Sequence, residues 1–138
     1  MQNIIDINLQ MTGTGHKKNI KDINGCASSL IIAELAKNED RNVLVVTRNI
    51  QEATVLEQEL IYFIGKERVW YFPDPETLPY DSFSPHKDII SRRLEIMYQL
   101  TCRKGLAVIV NITTLMGKLP PVEFILRESF LMKTGDKV

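Results

Sequence analysis

Three short apolar runs rich in β-branched residues, spaced by stretches of helical periodicity, leave this chain few architectures. Val43-Leu44-Val45-Val46-Thr47, Val69-Trp70-Tyr71-Phe72 and Leu106-Ala107-Val108-Ile109-Val110 each read as a strand. The first is continuously apolar, the pattern of a strand covered on both faces, and is expected at the centre of a sheet. After it, Ile50, Ala53, Leu56, Leu60 and Phe63 recur at steps of three and four, with Asn49 placed to cap a helix and Gly65 to end it. Between the second and third runs, Ser84 and Pro85 stand as N-cap and first residue of a helix through Ile89, Ile90, Leu94, Met97 and Tyr98. Strand and helix in alternation imply an α/β fold, a parallel sheet flanked by crossover helices.

The flanks extend this pattern. Leu30 to Ala36 is apolar nearly all round and rich in Ala and Leu, so it reads as a helix buried against the sheet. Thr113 to Gly117 opens a short helix that ends before Pro120-Pro121, and Val122 to Arg127 forms another. Ser129 to Lys133 resembles a strand, and Gly135-Asp136 is a hairpin signal with no partner after it, so the chain is expected to be a fragment.

At 138 residues and 44% hydrophobic, the chain can bury one core. Seventeen Lys and Arg balance seventeen Asp and Glu, so no global field draws in nucleic acid or an anionic membrane, and any DNA contact must be local. Cys26 and Cys102 lie far apart in apolar surroundings and form no CxxC, which fits reduced, buried thiols in a cytoplasmic protein and argues against a metal site. No apolar run approaches membrane-spanning length and the first residues carry no secretory pattern, so no membrane partner is expected.

The best place for a nucleotide is the turn before the buried helix, Asp22-Ile23-Asn24-Gly25-Cys26-Ala27-Ser28-Ser29. A phosphate loop needs GxxxxGK followed by Ser or Thr, because glycines let backbone amides wrap the phosphates and the lysine offsets their charge. Asp22 stands for the first glycine, Ala27 for the second and Ser28 for the lysine; only Ser29 survives in kind. The expectation is no bound cofactor and no ATP hydrolysis. Bare amides at that helix start remain the one route by which phosphate could still bind.

Phe72 to His86, FPDPETLPYDSFSPH, holds four of the six prolines in one stiff connector. Asp74, Glu76, Asp81, His86 and Asp88 gather carboxylates near an imidazole, the raw material of acid-base work, but no nucleophile or metal-ligand spacing accompanies them. Helix capping and the helix dipole account for His86 and Asp88. Tyr80 and Phe83 are read as anchoring the loop into the core, with base stacking as the alternative. The basic groups Lys17, Lys18 and Lys21, Arg92 and Arg93, and Arg103 and Lys104 are interrupted by acids and read as solvated faces. Thr113 and Thr114 follow a strand end, where they could donate to a nucleic-acid backbone or cap a helix.

ETLPYDSFSPHKDIISRRLEIMYQL, residues 76–100, with Asn111-Ile112-Thr113-Thr114-Leu115-Met116 after the next strand, closely resembles the N-terminal region of bacterial transcription-repair coupling factors. Weaker likeness runs from about Gly25 to the end. That region is similar to the repair helicase relative UvrB, so the resemblance implies a degenerate RecA-like, P-loop helicase-type domain. Its phosphate loop has decayed, and its connector is too short for the DNA-handling hairpin of UvrB. It further implies a UvrB-like domain over residues 1–128, with 129–138 opening the domain that docks UvrA. For the parent it implies contact with RNA polymerase and DNA through other domains, with ATP and magnesium used by a separate translocase motor. This fragment is then a non-catalytic module supporting UvrA recruitment in transcription-coupled nucleotide excision repair. The alternatives are a nucleotide-dependent helicase-type domain, disfavoured by Ser28, and a DNA-binding module, disfavoured by the zero net charge. A docking or nucleic-acid surface on the α/β domain itself would draw on Glu76, Tyr80, Asp81, Arg92, Thr113 and Thr114.

Overall fold

A computed structural model describes residues 20–37, 41–75 and 86–128. Strand β3, Ala107–Asn111, has all five residues buried, as a run of small and β-branched side chains permits when both faces are covered. β1, Val43–Thr47, and β2, Val69–Phe72, pair with it in parallel on either side, giving the order β1-β3-β2. The register sets Val45 and Tyr71 opposite Ile109. The architecture is α/β, a parallel sheet flanked by helices, as the alternating pattern implies.

One expectation fails here. Among the described residues β1 lies at the sheet's edge, with Leu44 and Val46 exposed at 56% and 46%. An apolar run records that a strand tolerates burial on both faces, whereas position in the sheet depends on which strand finds two partners. β3 does.

On one face, α1 (Ala27–Lys37) and α2 (Ile50–Ile64) enclose a core of Ala33, Ala36, Ala53, Leu56 and Leu60 against Val69, Ala107 and Ile109. The alanines let α1 come close to α2 and the sheet. Asn49 caps α2 by accepting from the Glu52 N–H at 2.8 Å, while the Glu52 carboxylate reaches back to the Arg48 N–H at 3.0 Å. Gly65 ends the helix with φ 85°, a conformation that favours glycine.

The opposite face is covered by α3 (Lys87–Cys102), whose Ile96, Met97 and Leu100 pack on Trp70, Phe72, Val108 and Val110. Here the helix begins two residues later than the Ser84-Pro85 signal implies: His86 is the N-cap, its Nδ1 accepting from the Asp88 N–H at 3.4 Å. Ser84 and Pro85 lie outside the described residues. An imidazole nitrogen can fill the acceptor role usually given to a hydroxyl, which the Ser-Pro signal overrode.

After β3, Asn111 caps the single turn α4 (Ile112–Leu115), and α5 (Val122–Glu128) follows Pro120-Pro121 and sets Ile125 into a buried position. α5 packs on α3. Cys26 and Cys102 are both exposed, contrary to the expectation of buried thiols. Each sits at a helix end, Cys26 just before α1 and Cys102 as the last residue of α3, among neighbours that are themselves largely exposed. Among the described residues no helix is long and apolar enough to cross a membrane. The expected strand at Ser129 to Lys133, the Gly135-Asp136 turn and the 129–138 domain lie outside the described residues.

Candidate functional site

The turn before α1 has two residues with positive φ. Asp22 and Gly25 both have φ 59°, the left-handed region that glycine enters at least cost. Asp22 therefore occupies, as an acid, a conformation that favours glycine. α1 begins at Ala27, where the Cys26 carbonyl accepts from the Leu30 N–H at 3.0 Å.

Ser29 is fully buried, and its hydroxyl donates to the Glu59 carboxylate of α2. That bond ties α1 to α2. A cavity of about 500 Å³ opens beside it, bounded by Gly25 and Ser28 of the turn, Ile32, Val45 and Thr47, and by Glu52 and Glu59. Its charged lining among the described residues is two carboxylates with no Lys or Arg. Like charge repels a polyphosphate, and the apolar remainder solvates it poorly.

A second polar group forms at the C-terminal ends of β2 and β3, where open α/β sheets commonly receive ligands. Asn111 Oδ1 accepts from the Thr114 N–H at 2.8 Å and from the Thr113 hydroxyl at 2.6 Å. Thr114, 3% exposed, donates its hydroxyl to Asp74 Oδ2 at 2.7 Å. Both threonine hydroxyls are thus engaged by protein partners, Thr114 inside the fold and Thr113 at its surface. The Tyr71 hydroxyl is buried nearby with no hydrogen bond of normal geometry. Burial first, then the Asp74 carboxylate, push its pKa up, and the Asn111 amide pulls it the other way.

Arg92 and Arg93 of α3 lie over the aromatic rings of β2. The Arg92 guanidinium sits 4.5 Å from the Trp70 ring centre and pairs with Glu95 at 2.9 Å, while Arg93 sits 4.3 Å from the Phe72 ring. Their apolar stems and flat charged heads shield these rings from water, a role the charge pattern alone did not reveal. Of the candidate surface residues, Arg92, Thr113 and Thr114 fall in described regions, the threonines side by side and Arg92 on α3; Glu76, Tyr80 and Asp81 lie outside them, as does Phe83. His86 and Asp88, with Nδ1 3.3 Å from the carboxylate, are exposed at the start of α3 and serve as its cap. Among the described residues no three His, Cys, Asp or Glu side chains gather as metal ligands.

Asn42 escaped the sequence reading. Its amide donates to the Leu100 and Arg103 carbonyls at 3.3 and 3.0 Å and its Oδ1 accepts from the Leu106 N–H at 3.1 Å, tying the start of β1 to the turn between α3 and β3. A single Asn before an apolar run carries no periodic signal, and only the fold shows its three partners.

No family model matches the chain. Individual proteins do. A transcription-repair-coupling factor of Escherichia coli (strain K12) is 36% identical over 124 residues, 90% of this chain and 11% of the relative. That of Rickettsia bellii (strain RML369-C) is 39% identical over 98 residues, 70% of this chain and 9% of the relative. That of Haemophilus influenzae (strain ATCC 51907 / DSM 11121 / KW20 / Rd) is 37% identical over 112 residues, 81% of this chain and 10% of the relative. Agreement of this extent, with the α/β order of elements, places the sequence: the chain belongs to the transcription-repair-coupling factor family and spans about a tenth of the length of these curated relatives.

Proposed function

We propose that this chain is a non-catalytic, UvrB-like module, a degenerate RecA-like domain that supports recruitment of UvrA in transcription-coupled nucleotide excision repair. The observation that carries the reading is Ser29: the one phosphate-loop residue retained in kind is buried and spends its hydroxyl on Glu59. With Ser28 in the lysine position and two carboxylates lining the cavity, the turn offers phosphate no cation. In this reading the domain spans 1–128, the segment 129–138 opens the UvrA-docking domain, and the module needs no cofactor. The parent protein engages RNA polymerase and DNA through other domains and draws ATP and magnesium into a separate motor.

Calorimetric titration with millimolar Mg-ATP is expected to give no saturable heat. A stoichiometric, magnesium-dependent site would overturn the non-catalytic reading in favour of a helicase-type domain. For the partner, residues 1–138 should retain UvrA weakly in a pull-down, and a polypeptide extended through the next domain should retain it well, since a stable interface needs about 800 Å² from each side. Equal, tight retention by both would move the docking surface onto the α/β domain, with Arg92 the first described residue to mutate.

A further inference from the structure

Where the chain leaves β2, α3 and α4 converge on Phe72, Pro73 and Asp74. Arg93 of α3 donates from Nη1 to the Pro73 carbonyl at 2.6 Å and lays its guanidinium 4.3 Å from the Phe72 ring. Thr114 of α4 donates to Asp74 at 2.7 Å and is itself held through its N–H by Asn111 at the end of β3. The Asp74 carboxylate also attracts Arg93, whose side chain is partly withdrawn from water. Pro73 and Pro75 fix φ on either side of Asp74, and a residue before proline is confined to extended backbone. Few dihedrals are left free there, so two side-chain anchors suffice to set direction.

We propose that Asp74, Arg93 and Thr114 form a clasp that fixes the course of the chain as it leaves β2, coupling that exit to α3 and to the β3–α4 turn. The clasp makes Arg93 and Thr114 positioning residues for whatever the connector after Pro75 does. It also explains why a threonine hydroxyl at the C-terminal end of the sheet faces inward rather than toward a ligand.

Limited proteolysis of the folded chain with chymotrypsin reads the clasp, because the connector carries Tyr80 and Phe83. Under conditions where cleavage follows local opening, its rate reports the open population. Thr114→Val and Asp74→Ala should each speed cleavage between residues 76 and 85 about tenfold relative to a core control, Ile109→Val, compared at equal margin below its denaturation midpoint; that is the scale of one lost hydrogen bond to a charged acceptor. Thr114→Ser, which keeps the hydroxyl, should stay within about twofold of the parent chain on the same grounds. The double variant should cleave no faster than Asp74→Ala, since Asp74 carries both the Thr114 contact and the attraction to Arg93. Asp74 is only half-buried, so its variant remains a fair test if Thr114→Val unfolds outright. Cleavage that merely tracks the midpoint in every variant, or a double effect equal to the product of the singles, overturns the clasp.

Discussion

Replacing Ile109 and Leu44 in turn separates a central strand from an edge strand by energy. Ile109 is fully buried between Val45 and Tyr71 and beneath α2, whereas Leu44 on β1 is 56% exposed. Ile109→Val removes one buried methylene, worth about 1 kcal/mol once transfer and cavity terms are joined. Ile109→Ala leaves a larger void in a close-packed sheet and should cost about 3 kcal/mol. Leu44→Ala gives up contacts that water already shares, so about 0.5 kcal/mol or less is expected. With a urea m-value of about 2 kcal/mol/M for a domain of this size, the midpoints should fall by about 0.5, 1.5 and 0.25 M respectively. Equilibrium unfolding in urea, followed by far-UV circular dichroism, measures all three. A Leu44→Ala shift as large as that of Ile109→Ala would show the Leu44 side chain covered and refute the difference in burial between the two positions.

Three further outcomes follow from single contacts. Gly65→Ala forces a side chain into φ 85°, ψ 150°, a region essentially confined to glycine, where nothing clashes with the new methyl, so backbone strain alone should cost about 2 to 3 kcal/mol in the same urea assay. Asn49→Ala should lose about 1 kcal/mol with the α2 cap, and Asn49→Ser should restore most of it, as thermal melting will show. Tyr71 has its folded pKa raised above the ordinary 10.0 by burial and then by Asp74, so the native state favours the neutral phenol; its contribution is complete below pH 10.0 and is lost as pH rises through the raised value. Tyr71→Phe should therefore flatten the alkaline limb of a stability profile, and at neutral pH it should change stability by no more than about 0.5 kcal/mol because the hydroxyl lost makes no normal hydrogen bond.

Helices and strands were legible wherever the code is local. Asn49 and Gly65 bracket α2 because cap and stop chemistry depend on the residue's own side chain and φ. Pro120-Pro121 separates α4 from α5 for the same reason. The rank of β1 within the sheet was not legible, since an edge strand and a central one can share the same apolar run. At the candidate site, the missing lysine at Ser28 could be read directly, but the direction of the Ser29 hydroxyl could not. Glu59 lies thirty positions away and becomes its partner only after α1 and α2 cross. The same distance problem hid the Thr114–Asp74 pair, forty residues apart in sequence. Charge counting also set Arg92 and Arg93 aside as solvated, because stacking on an aromatic ring leaves no mark in net charge.

The outer side of β1 has a practical meaning for anyone handling this polypeptide. Val-Leu-Val-Val-Thr is five residues of high β-propensity with no proline or lysine to blunt it, and among the described residues it pairs on one side only. Leu44 and Val46 leave an apolar strip exposed on one face beside that edge. Such an edge invites a second molecule to add its own strand, the first step of ordered aggregation. Concentrated solutions should scatter light in proportion to that pairing, and a charged replacement such as Val46→Lys, at a position already 46% exposed, should clear them with little loss of fold.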